Sequence, residues 1–219
     1  MSVVIALANQ KGGVGKTTST VSLAASLAAR DMRVLVIDAD PQANASSALG
    51  AARPRDGGGL YAALVEEAPL LSFATATDIV GLAIVPTSPA LAGAEVELVN
   101  MMAREFRMKR ALDALRESFD VILIDCPPSL GMLTVNALAA ADEVIIPVQT
   151  EYFALEGLGH LAHTIDLVKR NLNPRLTIRG VLLTMFDART NLSREVEDEV
   201  REHFPNTFQT VIPRSVRLA

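Results

Sequence analysis

Apolar residues in this chain fall into short continuous runs, separated by stretches that repeat at helical spacing. The runs cover 3–8, 33–38, 82–85, 120–125, 144–148 and about 177–185, each the length of a buried strand. Between them, Val21, Leu23, Ala24, Leu27 and Ala28 form one apolar face of a helix that begins near Lys16. Helical spacing also marks 60–67, 90–117, 132–140, about 155–171 and 193–203, with a break expected near Asn100. Pro86 and the Cys126-Pro127-Pro128 step stop the strands before them. An acidic turn at 38–42 leads into a stretch rich in Ala, Ser and Gly that reads as a loop to about residue 59, and 209–212 reads as a last short strand. Continuously apolar strands alternating with helices predict an α/β fold, a predominantly parallel central sheet with helices on both faces. Right-handed crossovers then bring every strand's C-terminal end to one edge.

The loop after the first strand is the most informative stretch. It reads Asn9-Gln10-Lys11-Gly12-Gly13-Val14-Gly15-Lys16-Thr17-Thr18 and leads directly into a helix. Strand, glycine-rich turn and helix make the setting of a phosphate-binding loop. Gly12, Gly13 and Gly15 permit a tight turn whose N–H groups aim inward, and the helix start adds its positive end. Lys16 would bring a full charge to the β- and γ-phosphates, and the Thr17 hydroxyl can ligate Mg²⁺. Asp125 closes an apolar strand, where a carboxylate can hold Mg²⁺ through a water. Asp38 and Asp40 end the strand expected beside the loop, and Pro127-Pro128-Ser129 would sense the γ-phosphate. No Asn-Lys-x-Asp guanine-reading motif occurs, which favours ATP over GTP.

Composition narrows the partners. At 219 residues the chain fits one α/β domain, 1–219, with a core of Val, Ile, Leu and Ala. Its net charge of −5 argues against a globally basic nucleic-acid binder. Residues 1–159 carry a net −7, however, and residues 160–219 a net +2, so contact with a polyanion is expected in the last quarter. Cys126 is the one cysteine, which excludes an internal disulfide and leaves no cysteine cluster for a metal. No apolar run reaches transmembrane length and the N-terminus runs straight into a strand, so a cytoplasmic protein is expected.

Two departures from the ordinary phosphate loop carry a family resemblance. Gln10 stands where a glycine is usual, and a second lysine, Lys11, opens the loop. The ten residues resemble the deviant Walker A motif of the ParA/MinD ATPases, a class of P-loop NTPases, and Asn9-Gln10 resembles the chromosomal ParA (Soj) branch. The stretches 149–158, 184–193 and 212–218 are similar to Soj segments as well. The lone cysteine sets the chain apart from the nitrogenase iron-protein branch.

The resemblance implies roles. Gly12, Gly13, Val14, Gly15, Lys16, Thr17 and Thr18 would hold ATP, with Met185 and Pro213 flanking the adenine. Thr17, Asp38 and Asp125 would serve Mg²⁺, Asp38 by positioning a metal-bound water and Thr17. Asp40 is the expected catalytic aspartate, acting on the attacking water with Lys11 and Lys16 as the catalytic lysines. Lys11 would cross a homodimer interface to the partner's nucleotide, and Glu151 would hold that lysine. Arg189 and Arg217 match DNA-contacting arginines. The implied protein is a nucleoid-associated partitioning ATPase whose ATP dimer binds DNA without sequence preference and is stimulated by a ParB-type centromere-binding protein. Family members continue past Leu218 with a strand and a helix. A MinD-type membrane-associated ATPase, which needs an amphipathic C-terminal helix, is the alternative, and a metabolic amide synthetase or small-molecule kinase is a third.

Overall fold

The computed structural model describes residues 2–55, 57–152 and 154–215. Seven strands are found among them: β1 (Val3–Leu7), β2 (Val34–Asp38), β3 (Thr75–Ala76), β4 (Leu82–Val85), β5 (Val121–Asp125), β6 (Glu143–Gln149) and β7 (Thr177–Thr184). They form one sheet in the order β3-β4-β2-β5-β1-β6-β7, parallel throughout except where β3 pairs antiparallel with β4. The expected α/β architecture is therefore present. The register sets Asp38 opposite Asp125, so two carboxylates far apart in sequence end adjacent strands at one edge.

Both faces of the sheet are covered. Along β1, Val4 and Ala6 enter one apolar cluster and Leu7 the other, the alternation a strand imposes. The smaller cluster lies under α1 (Lys16–Ala28) and α2 (Asn44–Ala48). The larger lies under α3 (Leu60–Val65), α4 (Leu91–Glu97), α5 (Arg107–Asp113), α6 (Met132–Ala140), α7 (Ala154–Asn171) and α8 (Asn191–His203). Leu35, Ile37, Ile122 and Ile124 in β2 and β5 are wholly buried, and truncating one to Ala would cost about 2–5 kcal/mol. This rigid pair of strands fixes the positions of Asp38 and Asp125.

Helix α1 turns the predicted apolar face to the sheet, with Ala24 and Ala28 inside the smaller cluster and Val21, Leu23 and Leu27 packed against it. Thr20, Ala24 and Ala28 are its buried face, and Val21, Leu23 and Leu27 flank it half-buried. Small side chains at every fourth position let the helix lie close against the sheet. The break expected near Asn100 is there: α4 gives way to short 3-10 turns at Leu98–Asn100 and Arg104–Phe106 before α5 starts.

Two expectations fail. The stretch read as loop contains α2, whose Ser46 N–H and hydroxyl both bond to the Asp38 carboxylate, at 2.7 and 2.6 Å. The strand expected at 209–212 does not form. That segment touches β7 through Phe208 N–H to Val181 C=O and Ile212 N–H to Leu183 C=O, with bridges only at Thr207 and Pro213. Arg201 takes the Phe208 and Gln209 carbonyls, at 3.1 and 3.2 Å, which draws them away from a ladder. Gly180 makes room for this strap, since a Cβ there would meet the Asn206 carbonyl at 2.6 Å.

Candidate functional site

The loop between β1 and α1 is pinned from three sides. Buried Asn9 donates to the Pro147 carbonyl at 2.7 Å and accepts the Lys11 N–H at 3.0 Å. The Thr184 hydroxyl donates to the Val14 carbonyl at 2.8 Å, and Pro128 approaches Gly12. Gly13 and Gly15 sit at φ 74° and 85°, the left-handed region that a side chain would strain. No side chain caps α1 and its first turn holds no acid, so its N–H groups and positive end face the loop. An anionic ligand satisfies such a helix start.

Beside the loop lie one lysine and three carboxylates. Lys16 is 6% exposed, and its ammonium donates to the Lys11 carbonyl at 3.0 Å. Burial lowers its pKa, against the opposing pull of Asp125 and Asp40. The Thr17 hydroxyl bonds to Asp125 at 2.7 Å, and Thr20, one turn on, reaches the other Asp125 oxygen at 3.2 Å. Burial pushes the Asp125 carboxyl up to about 7, with Asp38 raising it further while Thr17, Thr20 and Lys16 hold it down. Burial also raises the Asp38 pKa, against its bonds from Ser46 and the Asp40 N–H. Asp40 is 7% exposed and accepts the Gln42 N–H at 2.9 Å.

The donor set suits Mg²⁺. A hard cation would join the Thr17 hydroxyl and the carboxylate of Asp125, with Asp38 across the strand pair, and would relieve the cost of charging those buried acids. Among the described residues no three His, Cys, Asp or Glu side chains group as a metal site by themselves. Phosphate oxygens and water would have to complete the coordination, as is usual for this ion. The Thr17 hydroxyl takes Asp125 as its hydrogen-bond acceptor, while Asp38 accepts from Ser46.

Lys11 and Glu151 form an ion pair at the loop mouth, the lysine side chain 46% exposed. A cavity of about 200 Å³ opens beside Gly15 and Thr18, walled by Thr184, Met185, Pro213 and Arg214. Met185 has φ 52°, a strained geometry that keeps the turn after β7 against this cavity. Both residues expected around the base therefore line one pocket. Arg189 is highly exposed in the turn before α8, and Arg217 lies outside the described residues.

Two residues that sequence reasoning passed over complete the site. Thr20 was readable as the position one turn after Thr17, whereas Ser46 reaches the site only through tertiary packing.

Residues 2–178 match a family model described as an AAA domain. Over 217 residues the chain is 54% identical to the chromosome partitioning protein ParA of Myxococcus xanthus, covering 99% of this chain and 77% of that protein. It is 52% identical to the sporulation initiation inhibitor protein Soj of Bacillus subtilis, covering 100% and 87%. Among solved structures, cobyrinic acid a,c-diamide synthase from Mycobacterium smegmatis, with ADP and magnesium bound, superposes with a TM-score of 0.90 at 40% identity, over 98% of this chain and 88% of that one.

Proposed function

Because the chain belongs to the ParA/Soj family of chromosome-partitioning proteins, we propose that it is an ATP-driven switch for DNA partitioning. It is an ATPase that works with Mg²⁺. Lys16 and the loop N–H groups take the β- and γ-phosphates, and Met185 and Pro213 hold the adenine. Thr17 and Asp125, backed by Asp38, hold Mg²⁺, whose charge offsets that on the phosphate oxygens. Asp40 orients the attacking water. Lys11 leaves Glu151 to reach the nucleotide of a second copy, which ties dimer closure to the γ-phosphate. The ATP dimer binds DNA without sequence preference on the nucleoid, and hydrolysis, stimulated by a ParB-type protein, releases it.

One observation supports this reading above the others. Lys11 stands 46% exposed at the mouth of a loop whose inner charge is supplied by buried Lys16. A second lysine so placed is available to a nucleotide outside its own subunit. The test is a DNA-shift assay beside flotation with anionic lipid vesicles, each with ATP and with ADP. Shift of a random-sequence duplex with ATP alone is the expected result. ATP-dependent flotation without a DNA shift would replace the reading with a membrane-associated one.

The likeness to a diamide synthase favours a second reading, an amide-forming enzyme. Drawing ammonia from glutamine would call for a reactive thiolate. Cys126 is fully buried, and burial pushes its thiol far above the ordinary range. No glutaminase activity is expected from this chain, and release of glutamate from glutamine would revive that reading.

A further inference from the structure

Asp187 opens the turn that leads into α8, and Arg189 in that turn is bonded to it. Its carboxylate takes two bonds from the Arg189 guanidinium, at 2.8 and 2.7 Å, and a third from the Arg189 N–H at 3.1 Å. Arg214 arrives from the strap beside β7, its N–H bonded to the Phe186 carbonyl at 3.0 Å. These bonds from Arg189, with a smaller effect of the Arg214 charge, hold the Asp187 carboxyl far below the usual carboxylate range. Arg194, in the first turn of α8, reaches back to the Ala188 carbonyl at 2.8 Å. All three arginines are exposed. A chain of net charge −5 thus sets the charges of Arg189 and Arg214 on one carboxylate, with Arg194 bonded to the Ala188 carbonyl in the same turn. Fold stability does not account for this, since an ion pair whose guanidinium stands in solvent adds little to it.

We infer that Asp187 is a built-in brake on DNA binding: it occupies the Arg189 fork that a backbone phosphate would take, on a surface completed by Arg194 and Arg214. The inference rests on the DNA-binding reading above. A carboxylate and a phosphate compete for the same two parallel N–H donors of a guanidinium. Each protomer's contact is weakened by that competition, so firm binding needs the doubled surface of a dimer. Release after the dimer opens is then rapid. Arg214 also walls the pocket assigned to the adenine, which joins the brake to the nucleotide site. Nucleic-acid phosphate fits better than a lipid surface, because Leu192 is the one large apolar residue exposed between 187 and 194.

Asp187→Asn separates the brake from the turn. The amide oxygen still accepts the Arg189 N–H, while the charge is gone and the fork is released. Binding to a random-sequence duplex with ATP is titrated with salt for wild type, Asp187→Asn and Asp187→Asn/Arg189→Ala. The single variant should bind more tightly than wild type at every salt concentration. The double variant should lose that gain, and Arg194→Ala and Arg214→Ala should each flatten the wild-type slope. Unchanged or weaker binding by Asp187→Asn would overturn the brake, and a gain that survives in the double variant would overturn the Arg189 route. Tighter binding to phosphatidylglycerol vesicles with none to the duplex would overturn DNA as the partner. A wild type that binds no duplex at any salt would instead remove the parent reading, and this inference with it.

Discussion

The Thr17 hydroxyl lies 2.7 Å from a carboxylate oxygen of Asp125, 108 residues further along the chain. The parallel pairing of β1 with β5 creates this contact and leaves Asp125 in an apolar setting, its carboxyl pushed up to about 7 chiefly by burial. The pKa is thus raised above that of the unfolded chain. Its contribution to stability is full below the unfolded value near 3.8 and is lost as pH rises through about 7. Without nucleotide or Mg²⁺, the wild-type melting temperature should fall between pH 5 and 8. The effect is on the order of a few kcal/mol. Asp125→Asn should flatten much of that fall, with a remainder from Asp38, whose pKa burial also raises. Equal pH dependence in the two proteins would mean that Asp125 stays ionised throughout.

The phosphate loop, Asp125 and the interrupted 90–117 stretch were legible because each rests on local signals: glycines after an apolar run, an acid at a strand end, a lapse in helical spacing. Helix α2 was not. Five residues of Asn, Ala and Ser make a weak helix by propensity, and Ala43 before it takes a left-handed geometry. What holds α2 is the double bond from Ser46 to Asp38, a tertiary contact. The 209–212 segment misleads in the opposite way, as a strand-like sequence whose carbonyls Arg201 removes from pairing. The Lys11–Glu151 pair joins residues 140 positions apart, and only the family resemblance pointed to it.

Lys16→Ala should reduce nucleotide affinity by roughly 100-fold, the scale of a lost bond to a charged group. Its ammonium is the one buried lysine charge beside the loop. Titration of a fluorescent ATP analogue measures this directly, and near-normal affinity would remove the phosphate-loop assignment.

Lys11→Ala should still bind ATP yet remain monomeric, because in the proposed function the deleted charge serves the second copy. Light scattering after size exclusion, with ATP, is the measurement. Glu151→Gln gives an opposing control: it releases the lysine, so dimer formation should persist. A stable Lys11→Ala dimer would place the lysine's role within its own subunit.

Asp40→Ala should slow hydrolysis by about 100-fold or more while ATP still binds. Asp40 takes no bond from Lys16 or Thr17, and Lys16, Thr17 and Asp125 are left in place. ATP-bound dimers should therefore accumulate. Turnover at the wild-type rate would transfer the role to Asp38, although that carboxylate is already engaged by Ser46.

Arg189→Ala tests the polyanion surface itself. The side chain is 86% exposed, with the Asp187 pair as its anchor, so its loss leaves no cavity, and Asp187 keeps the bond from the N–H of residue 189. Whatever changes in DNA binding is then a matter of charge. Neutralising one phosphate fewer should flatten the slope of log affinity against log salt by about 0.9 per contact, and a dimer should lose roughly twice that. The effect should be alike on unrelated duplex sequences, because backbone contacts carry no sequence information. Arg189→Lys should recover part of the slope, since charge is retained without the fork. Salt-titrated binding with ATP decides it. An unaltered slope for Arg189→Ala would move the surface to Lys169, Arg170 and Arg175. Of these, Arg170 already has a competitor in Asp166, at 2.6 Å, so Lys169 and Arg175 would be the first to replace.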